Sequence, residues 1–264
     1  MEISHNPNSS VALSASPAAV PFSVDGAQRL WKSRHGIAAS VQANNMVARS
    51  MQQYGEWAEQ ELDLLSGFVE DGQTVLEFGG DYGAHSLWLS RAVGDKGSVH
   101  VAEPRRIEFQ QLCANVALNG LGNVYAHSVW LGRDSGQVML ASVLPGSGGE
   151  HVRGSTVDQL SLDALHLLKV NLPGTLVSLL QGAADTLRRF HPIVYFRLGT
   201  GEHAVADVKA LKDLGYRCWS HVPYLFNGDN YAGSSDNLFP GCVHQNVIAA
   251  PIEMHMELDR LREI

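Results

Sequence analysis

The 264-residue chain has few cysteines and fewer basic than acidic side chains. Its three cysteines are far apart and include no C-x-x-C pair, which argues against a zinc knuckle and against a disulfide framework. Lys and Arg together number 19 against 27 Asp and Glu, a formal net charge of -8. This balance argues against nucleic-acid binding by charge and against binding to an anionic membrane. We therefore expect a cytoplasmic protein with reduced thiols.

Long apolar runs and a recognisable targeting signal are also missing. No run of ~18 apolar residues occurs, so no segment is expected to span a membrane. Residues 1–25 are rich in Ser, Ala, Asn and Pro and have no Lys or Arg before their apolar part. This composition predicts a disordered arm rather than a secretory signal. The twelve histidines show no convincing metal-ligand spacing, so no metal is expected.

What the chain does have is an alternation of strand-like and helix-like segments. Residues 26–70 have helical periodicity and are predicted to form a lead-in or cap, followed by one domain over residues 71–264. In that domain short β runs alternate with helical segments, which predicts an α/β, Rossmann-like, doubly wound and mostly parallel sheet of about seven strands. Residues 216–222 and 244–251 have no helix between them and predict an antiparallel edge.

Four segments of the domain carry more specific expectations. Residues 165–171 form a continuous apolar run, which is typical of a strand in a sheet covered on both faces. Residues 123–131 are predicted as one strand and residues 174–190 as one helix. Residues 141–157 are too rich in glycine for an element and are predicted as a loop.

A glycine-rich loop follows the first strand of the domain, in the stretch LEFGGDYGAH at residues 76–85. Gly79, Gly80 and Gly83 would let a ligand come close to the backbone, and the following helix begins there with unpaired N–H groups. The spacing differs from G-x-G-x-x-G, however, and a tight strand–helix turn without a ligand would need similar residues.

Glu103 strengthens the reading of this loop as a ligand site. It ends the second strand about 20 residues beyond the loop, where a carboxylate can accept both hydroxyl hydrogens of a ribose. This arrangement fits NAD as well as S-adenosylmethionine. Asp81 would repel a pyrophosphate, and no Arg or Lys lies in the loop to hold one. S-adenosylmethionine, with its ammonium and sulfonium groups, is therefore the favoured ligand.

Taken together, these stretches resemble the FkbM-type methyltransferases within the class I S-adenosylmethionine-dependent fold. The resemblance covers about residues 74–251 and is carried by VLEFGGDYGAHSLWLS, GSVHVAEP, VDQLSLDALHLLKVNLPG and GYRCWSHVPYLFNGDNYAG. It implies methyl transfer from S-adenosylmethionine to a hydroxyl of a sugar, a glycan or a natural product. It implies a cofactor site formed by Glu77, Gly79, Gly80, Asp81, Gly83, His85, Glu103, Pro104, Ser128, Val129 and Trp130.

The chain departs from the family pattern where the fourth strand ends. The family's K-I-D-V-E-G has two acids, whereas this chain has Asn171 and Pro173 in their places and keeps Lys169 and Gly174. Asn171 can hydrogen-bond a substrate or cofactor, but an amide cannot take a proton. Two interpretations of Asn171 remain open. It is an amide of the catalytic site, or it caps the following helix, since Asn-x-Pro-Gly is a sequence that favours a helix start.

His221 is the candidate for a replacement base, because a histidine near neutrality can accept a proton. The alternative is an ordinary strand-end histidine bonded to backbone. The loop that follows His221 has aromatic faces and polar tips, as a sugar or aromatic pocket needs. The predicted substrate-binding residues are Lys169, Tyr224, Phe226, Asn227, Asp229, Asn230 and Tyr231.

Three functions compete on the sequence alone. The first is an O-directed methyltransferase that acts on a small molecule or glycan. The second is a non-catalytic relative that binds S-adenosylmethionine or a partner without turnover, suggested by Asn171 and Pro173. A nicotinamide oxidoreductase is a weaker third, because the loop lacks the dinucleotide glycine spacing. A homodimer is also an open expectation, since the apolar lead-in could pack on a neighbouring subunit.

Overall fold

The computed structural model describes residues 28–41, 45–141 and 149–264. The predicted disordered arm, residues 1–25, lies outside these ranges. In the first half of the chain the elements are β1 (Gln28–Ser33), β2 (Gly36–Val41), α1 (Met46–Tyr54), α2 (Glu59–Leu65), β3 (Thr74–Phe78), α3 (Ala84–Ala92), β4 (Ser98–Ala102), α4 (Arg106–Leu118), β5 (Val124–His127), β6 (Trp130–Leu131) and β7 (Gly136–Leu140). In the part of the chain that the structure describes, no helix has both the length and the apolar character needed to cross a membrane.

The second half continues the alternation of strands and helices. Its elements are β8 (Glu150–Ser155), β9 (Leu167–Val170), α5 (Leu176–Gln181), α6 (Ala184–Phe190), β10 (Ile193–Arg197), α7 (Glu202–Asp213), β11 (Tyr216–His221), β12 (Asn246–Pro251) and β13 (Arg262–Glu263). Short 3-10 turns at Asp158–Leu160 and Ile252–Met254 complete the order.

Eight strands form the central sheet in the order β13-β11-β12-β10-β9-β3-β4-β5. The pairs from β10 to β5 are parallel, and β12 lies antiparallel between β10 and β11. The predicted Rossmann-like, doubly wound sheet with an antiparallel edge is therefore confirmed. An eighth strand arises because β13 pairs with β11 at the edge. The strand order reverses between β3 and β9, where open α/β sheets bind ligands.

Both faces of this sheet are covered, as the apolar run of β9 predicted. Side chains alternate between faces along a strand, so Leu76 and Phe78 enter one core while Val75 enters the other. All four residues of β9 are buried. The alternation has a chemical consequence, because Glu77 and Lys169 must lie on the same face as Val75 and Leu167 and are buried there.

The prediction of a helical lead-in over residues 26–70 is wrong for its first part. Residues 28–41 form an antiparallel hairpin, β1–β2, in which Ser33 pairs with Gly36 across a two-residue turn. Helix α4 holds this hairpin from the side. The Asn115 side chain accepts from the Ala39 N–H at 2.6 Å and donates to the Ala39 carbonyl at 3.0 Å. These tertiary hydrogen bonds override the helical tendency of the segment. The second part, α1 and α2, is helical as expected.

Three smaller expectations also change. Residues 123–131 divide between β5 in the main sheet and β6 in a three-stranded sheet of order β6-β8-β7. Strand β8 lies within the segment predicted as a loop over residues 141–157, of which residues 142–148 are outside the described ranges. The predicted helix 174–190 is two helices that meet near Gly182. A side chain at Gly182 would collide with the Gly132 carbonyl at 2.0 Å, so this glycine allows a close backbone approach.

The hairpin's attachment to α4 can be tested with two asparagines on the same helix. Asn115 is buried and bonds Ala39 and the Tyr82 carbonyl, whereas Asn119 bonds Ile37 in a partly exposed position. We expect Asn115→Ala to lower the free energy of unfolding by about 2–4 kcal/mol and Asn119→Ala by about 1 kcal/mol or less, because only the first leaves buried groups unpaired. Urea unfolding measures both; equal losses would contradict this account.

Candidate functional site

The candidate site lies at the carboxyl end of β3, β4, β9 and β10, next to the reversal of strand order. The sheet and the glycine loop supply most of its walls, and the lead-in closes it from above through α1 and the turn before α2. The lining residues are Val47, Trp57, Glu77, Gly79, Gly80, Asp81, Ala84, His85, Asn171 and Arg197. The cavity measures only about 10 Å³, which is room for a single water.

The glycine loop is needed both for its backbone shape and for its packing. Gly79 and Gly83 have φ values of +83° and +82°, in the left-handed region that glycine favours. A side chain at Gly80 would lie 2.3 Å from Val101 on β4. A tight strand–helix turn explains these glycines by itself, so the loop does not decide the function.

Glu103 is fully buried beside this loop, and its carboxylate is engaged by the protein itself. Its Oε2 accepts from the Asp81 N–H at 2.9 Å, and its Oε1 accepts from the Arg105 N–H at 2.9 Å and from Arg105 Nε at 3.0 Å. Arg105 Nη2 reaches Asp81 at 2.5 Å and Glu103 at 3.1 Å. Burial raises the pKa of Glu103, and Arg105 opposes that shift. Arg105 therefore hydrogen-bonds the carboxylate oxygens of Glu103 that the sequence analysis assigned to a ribose.

Asn171 holds the ends of β3 and β9 together rather than capping a helix. Its Nδ2 donates to Glu77 Oε1 and to the Gly79 carbonyl, both at 2.9 Å, and its Oδ1 accepts from Lys169 Nζ. Helix α5 begins only at Leu176, after Thr175. The capping interpretation is therefore wrong, while a catalytic role of Asn171 stays a prediction.

The Lys169 side chain is fully buried, so its charge has to be paired within the protein. Its Nζ lies 3.5 Å from Glu77 Oε1 on β3 and 3.5 Å from Glu61 Oε2 on α2. A role for Lys169 in binding substrate would need this pairing to open. The ammonium instead attaches the lead-in helix to the sheet.

Glu61 is a buried acid next to the site that the sequence analysis missed, together with its partners His244 and Arg197. Its Oε1 accepts from His244 Nδ1 at 2.6 Å and lies 3.4 Å from Arg197 Nη2. Burial alone would raise the pKa of Glu61, but Lys169, His244 and Arg197 hold it well below its usual range. A signal existed in the sequence, because a lysine kept in an apolar strand without its acid needs a partner from elsewhere.

His85 ties α3 to the lead-in. Its Nε2 donates to the Trp57 carbonyl at 2.9 Å, and its Nδ1 lies 3.9 Å from Glu61. Burial lowers the pKa of His85 to about 3, with Lys169 adding to that shift. His85 is therefore neutral at pH 7 and positions the glycine loop against Trp57.

His221 is not among the residues that line the cavity. Its Nδ1 lies 2.8 Å from the Tyr195 hydroxyl, which accepts from Asn246 Nδ2 at 2.7 Å. Burial lowers the pKa of His221. One ring nitrogen of His221 is thus hydrogen-bonded in a side-chain network at the antiparallel edge. The role of His221 as a base stays a prediction.

The predicted substrate loop packs on the lead-in through Glu56. This carboxylate accepts from Arg34 Nε at 2.7 Å, from Asn227 Nδ2 at 2.9 Å and from the Tyr231 N–H at 2.8 Å. Asn230 is buried and makes its hydrogen bonds within the loop.

The remaining loop residues differ in exposure. The Arg34 guanidinium donates to the Asp229 carbonyl at 2.5 Å, and Phe226 packs on the ring of Tyr54. Only Tyr224 and Tyr231 present large exposed side chains. Their contact with substrate stays a prediction.

The other predicted cofactor residues lie outside the small cavity. Pro104 is buried next to Glu103, and Ser128 is exposed. Val129 packs against one core, and Trp130 meets Phe78 edge-on at 5.4 Å. Trp130 also lines a separate open cleft of about 580 Å³ between α5 and the three-stranded sheet. Across the described ranges, no group of three or more His, Cys, Asp or Glu side chains is placed to hold a metal.

Comparison with known proteins finds likeness in structure only. No protein-family model matches the chain, and no curated protein matches its sequence. The solved structures it resembles include an FkbM methyltransferase from Methylobacillus flagellatus KT, with 16% identity and a TM-score of 0.47. That match covers 67% of this chain but only 43% of the Methylobacillus protein.

Two further matches cover more of the other protein. A SAM-dependent methyltransferase from Aquifex aeolicus has 16% identity over 76% of this chain and 91% of its own, with a TM-score of 0.43. Aeropyrum pernix fibrillarin, solved with bound S-adenosyl-L-methionine, has 14% identity over 88% and 98%, with a TM-score of 0.46. Because all three scores are below 0.5, the fold assignment rests on the chain's own strand order.

The buried histidine makes a prediction about acid stability. The pKa of His85 is about 3 in the folded protein and about 6.5 when exposed, so below pH 6.5 only the unfolded chain takes up this proton. Folding stability should fall on acidification by about 1.4 kcal/mol per pH unit from this group alone. We expect His85→Gln to remove about that much of the slope between pH 6.5 and 4.5.

Urea unfolding at several pH values measures this slope. His151, an exposed residue of β8, provides the matched variant His151→Gln, which should leave the slope unchanged. Identical slopes for wild type and His85→Gln would show that His85 is not held neutral by burial.

Proposed function

We propose that this protein is an S-adenosylmethionine-dependent methyltransferase that methylates a hydroxyl of a sugar, a glycan or another small molecule. The observation that carries the proposal is the buried carboxylate of Glu103 at the end of β4, directly beside the glycine loop and the reversal of strand order. A carboxylate in this position is suited to the two hydroxyl groups of a ribose. The fold and the residue types at the site agree with this ligand.

The residues fit the cofactor chemically, provided that two contacts open. A nucleoside ligand needs a pocket of several hundred Å³, far more than the space now beneath Trp57. Glu103 must also exchange Arg105 for the ribose hydroxyls. The Arg105 side chain is 28% exposed and can turn toward solvent, whereas Glu103 is fixed in the core. We therefore infer that the described conformation is a closed one, with Arg105 in the ribose position.

Bound S-adenosylmethionine supplies a methyl group on a sulfonium, and the chain has to position the acceptor and receive its proton. Positioning alone can lower the activation barrier by ~7–11 kcal/mol. General-base assistance typically adds about 10²–10⁴-fold. The change from acid to Asn171 therefore need not abolish turnover. In this proposal Asn171 orients Lys169 and Glu77 at the cavity wall, and the exposed Tyr224 and Tyr231 contact the acceptor.

A second function, binding without turnover, is favoured by two specific observations. Arg105 saturates the Glu103 carboxylate, and the acid of the fourth strand is absent at Asn171. A protein that had lost catalysis would tolerate both changes. The two functions differ in what they expect of the cofactor site once Arg105 is removed.

Calorimetric titration with S-adenosylhomocysteine tests the proposal. We expect one site in the wild type and a loss of at least tenfold in affinity for Glu103→Gln, because hydrogen bonds to a charged acceptor contribute about 1.5–3 kcal/mol each. Glu108→Gln is the matched control, since Glu108 also lies near Arg105 but 3.8 Å away on α4, and it should bind as the wild type does.

Arg105→Gln separates the two functions in the same titration. We expect it to bind at least as tightly as the wild type, since the ribose no longer competes with the guanidinium. Binding by Arg105→Gln alone would favour the non-catalytic protein with a locked site. Absence of binding in both proteins would reject the cofactor and with it the proposed function.

A further inference from the structure

We propose that His244, oriented by Glu61 from the lead-in helix α2, is the group that takes the proton from the acceptor hydroxyl. This inference rests on the proposed function and names the proton acceptor of the same site. The acid that is missing from the end of β9 would thus be replaced in space by a carboxylate about 110 residues earlier in the chain, acting through an imidazole.

The contact between the two side chains fixes the position of the imidazole proton. An ionised carboxylate can only accept, so the 2.6 Å separation of Glu61 Oε1 and His244 Nδ1 requires the proton on Nδ1. Arg197 Nη2 lies 3.1 Å from the same nitrogen and 3.4 Å from the carboxylate. With Nδ1 protonated, only the carboxylate can accept from Arg197. The Glu61–His244 contact of 2.6 Å favours this arrangement, because it is shorter than the Arg197–His244 contact of 3.1 Å.

The other ring nitrogen of His244, Nε2, is the one that can accept a proton from a substrate. Among the residues that the structure describes, His244 Nε2 has no hydrogen-bond partner, and in this tautomer it carries a lone pair. A carboxylate that holds an imidazole by Nδ1 and leaves Nε2 free is the arrangement that hydrolases use for general-base catalysis. Glu61 and His244 are buried, with 1% and 7% exposure, so the pair is shielded from solvent.

The pair lies behind the wall of the candidate cavity, in contact with residues that line it. The His244 ring meets the ring of Trp57 edge-on at 5.4 Å, and Trp57 and Arg197 both line the cavity. His244 also bonds Pro223 through its backbone N–H, at the start of the predicted substrate loop. His244 therefore joins a residue of the cavity wall, Trp57, to the start of the predicted substrate loop.

Burial, aided by the cations Arg197 and Lys169, favours the neutral form of this imidazole, which can accept a proton. Lys169 and Arg197 balance Glu61 and Glu77, while His85 and His221 are the other titratable rings near Glu61. Burial lowers the pKa of His244, opposed by its bond to Glu61.

The proposed step balances as follows. The acceptor oxygen gives its proton to His244 Nε2 and gains the methyl group, while the sulfonium of the donor becomes a neutral thioether. Glu61 stabilises the imidazolium, which later returns the proton to water.

Nitrogen NMR of the full-length protein labelled in histidine tests the pair without any cofactor. We expect the neutral His244 to carry its proton on Nδ1, and Glu61→Gln to change the chemical shifts of both ring nitrogens. His100 on β4 is the internal control: its ring stacks on Tyr125 and His127, away from Glu61, and its shifts should stay the same in the variant. A neutral His244 with the proton on Nε2, or shifts that do not respond to Glu61→Gln, would overturn the proposal.

Two further variants keep the test decisive if Glu61→Gln does not fold. Glu61→Asp keeps the charge but shortens the reach, so it should weaken the bond and move the His244 shifts part of the way. Glu61→Gln combined with Asn171→Asp restores the charge beside Lys169 but not the bond to His244. The double variant should fold and still show the altered His244 shifts; wild-type shifts in it would overturn the proposal.

The outcome is separable from that of the proposed function. S-adenosylhomocysteine titration reports on Glu103, whereas the tautomer reports on Glu61 and His244. A Nδ1–H tautomer without cofactor binding would leave the pair intact but remove its role in methyl transfer, which overturns the inference. Cofactor binding with the wrong tautomer would retain the methyltransferase and exclude His244 as its base.

Discussion

The central constraint in this structure is a lysine ammonium buried in the middle of a parallel sheet. Lys169 is fully buried, and an unpaired buried charge would cost several kcal/mol. Its partners come from three places: Glu77 on the next strand, Asn171 at the end of its own strand, and Glu61 on a helix that precedes the domain. Because the ammonium fixes these residues, they can make further contacts: Asn171 with Glu77, and Glu61 with His244.

The same pairing explains why the cavity is small. Glu61 joins α2 to β9 through Lys169 and to β10 through Arg197, so the lead-in is held against the carboxyl end of the sheet. Trp57, His85 and His244 then fill the space beneath it. Access for a nucleoside needs both the lead-in to lift and Arg105 to turn outward. A buried network of this kind is strong when complete and costly when one partner leaves, so it suits a site that exists in two states.

The sequence predicted the sheet well and the site only in part. The alternation of apolar strands with amphipathic helices identified the parallel core, because both features depend on local spacing. The glycine loop, Glu77 and Glu103 were found for the same reason, since they follow their strands directly. The β1–β2 hairpin was missed because the hydrogen bonds that attach it to the domain come from Asn115, far away in sequence.

The acid–histidine pair could not be identified from the sequence for the same physical reason: the lysine in an apolar strand indicates that it needs a partner, but not which residue supplies it. Glu61 and His244 are 183 residues apart, and neither belongs to a motif. Their meeting depends on how α2 packs over the sheet, which local spacing does not encode. Asn171 was found by its place in the fourth-strand motif, but its contacts to Glu77 and Gly79 show a structural link that the motif alone did not predict.

The measurement that tests this account most directly is a crystal structure of the protein with S-adenosylhomocysteine. The account predicts the ribose hydroxyls on the Glu103 carboxylate, Arg105 turned away from it, and Glu61 still joined to His244 at the cavity edge. A structure with Arg105 still on Glu103 and the ligand bound elsewhere would contradict it. So would a structure in which the ligand occupies this site but Glu61 has left His244.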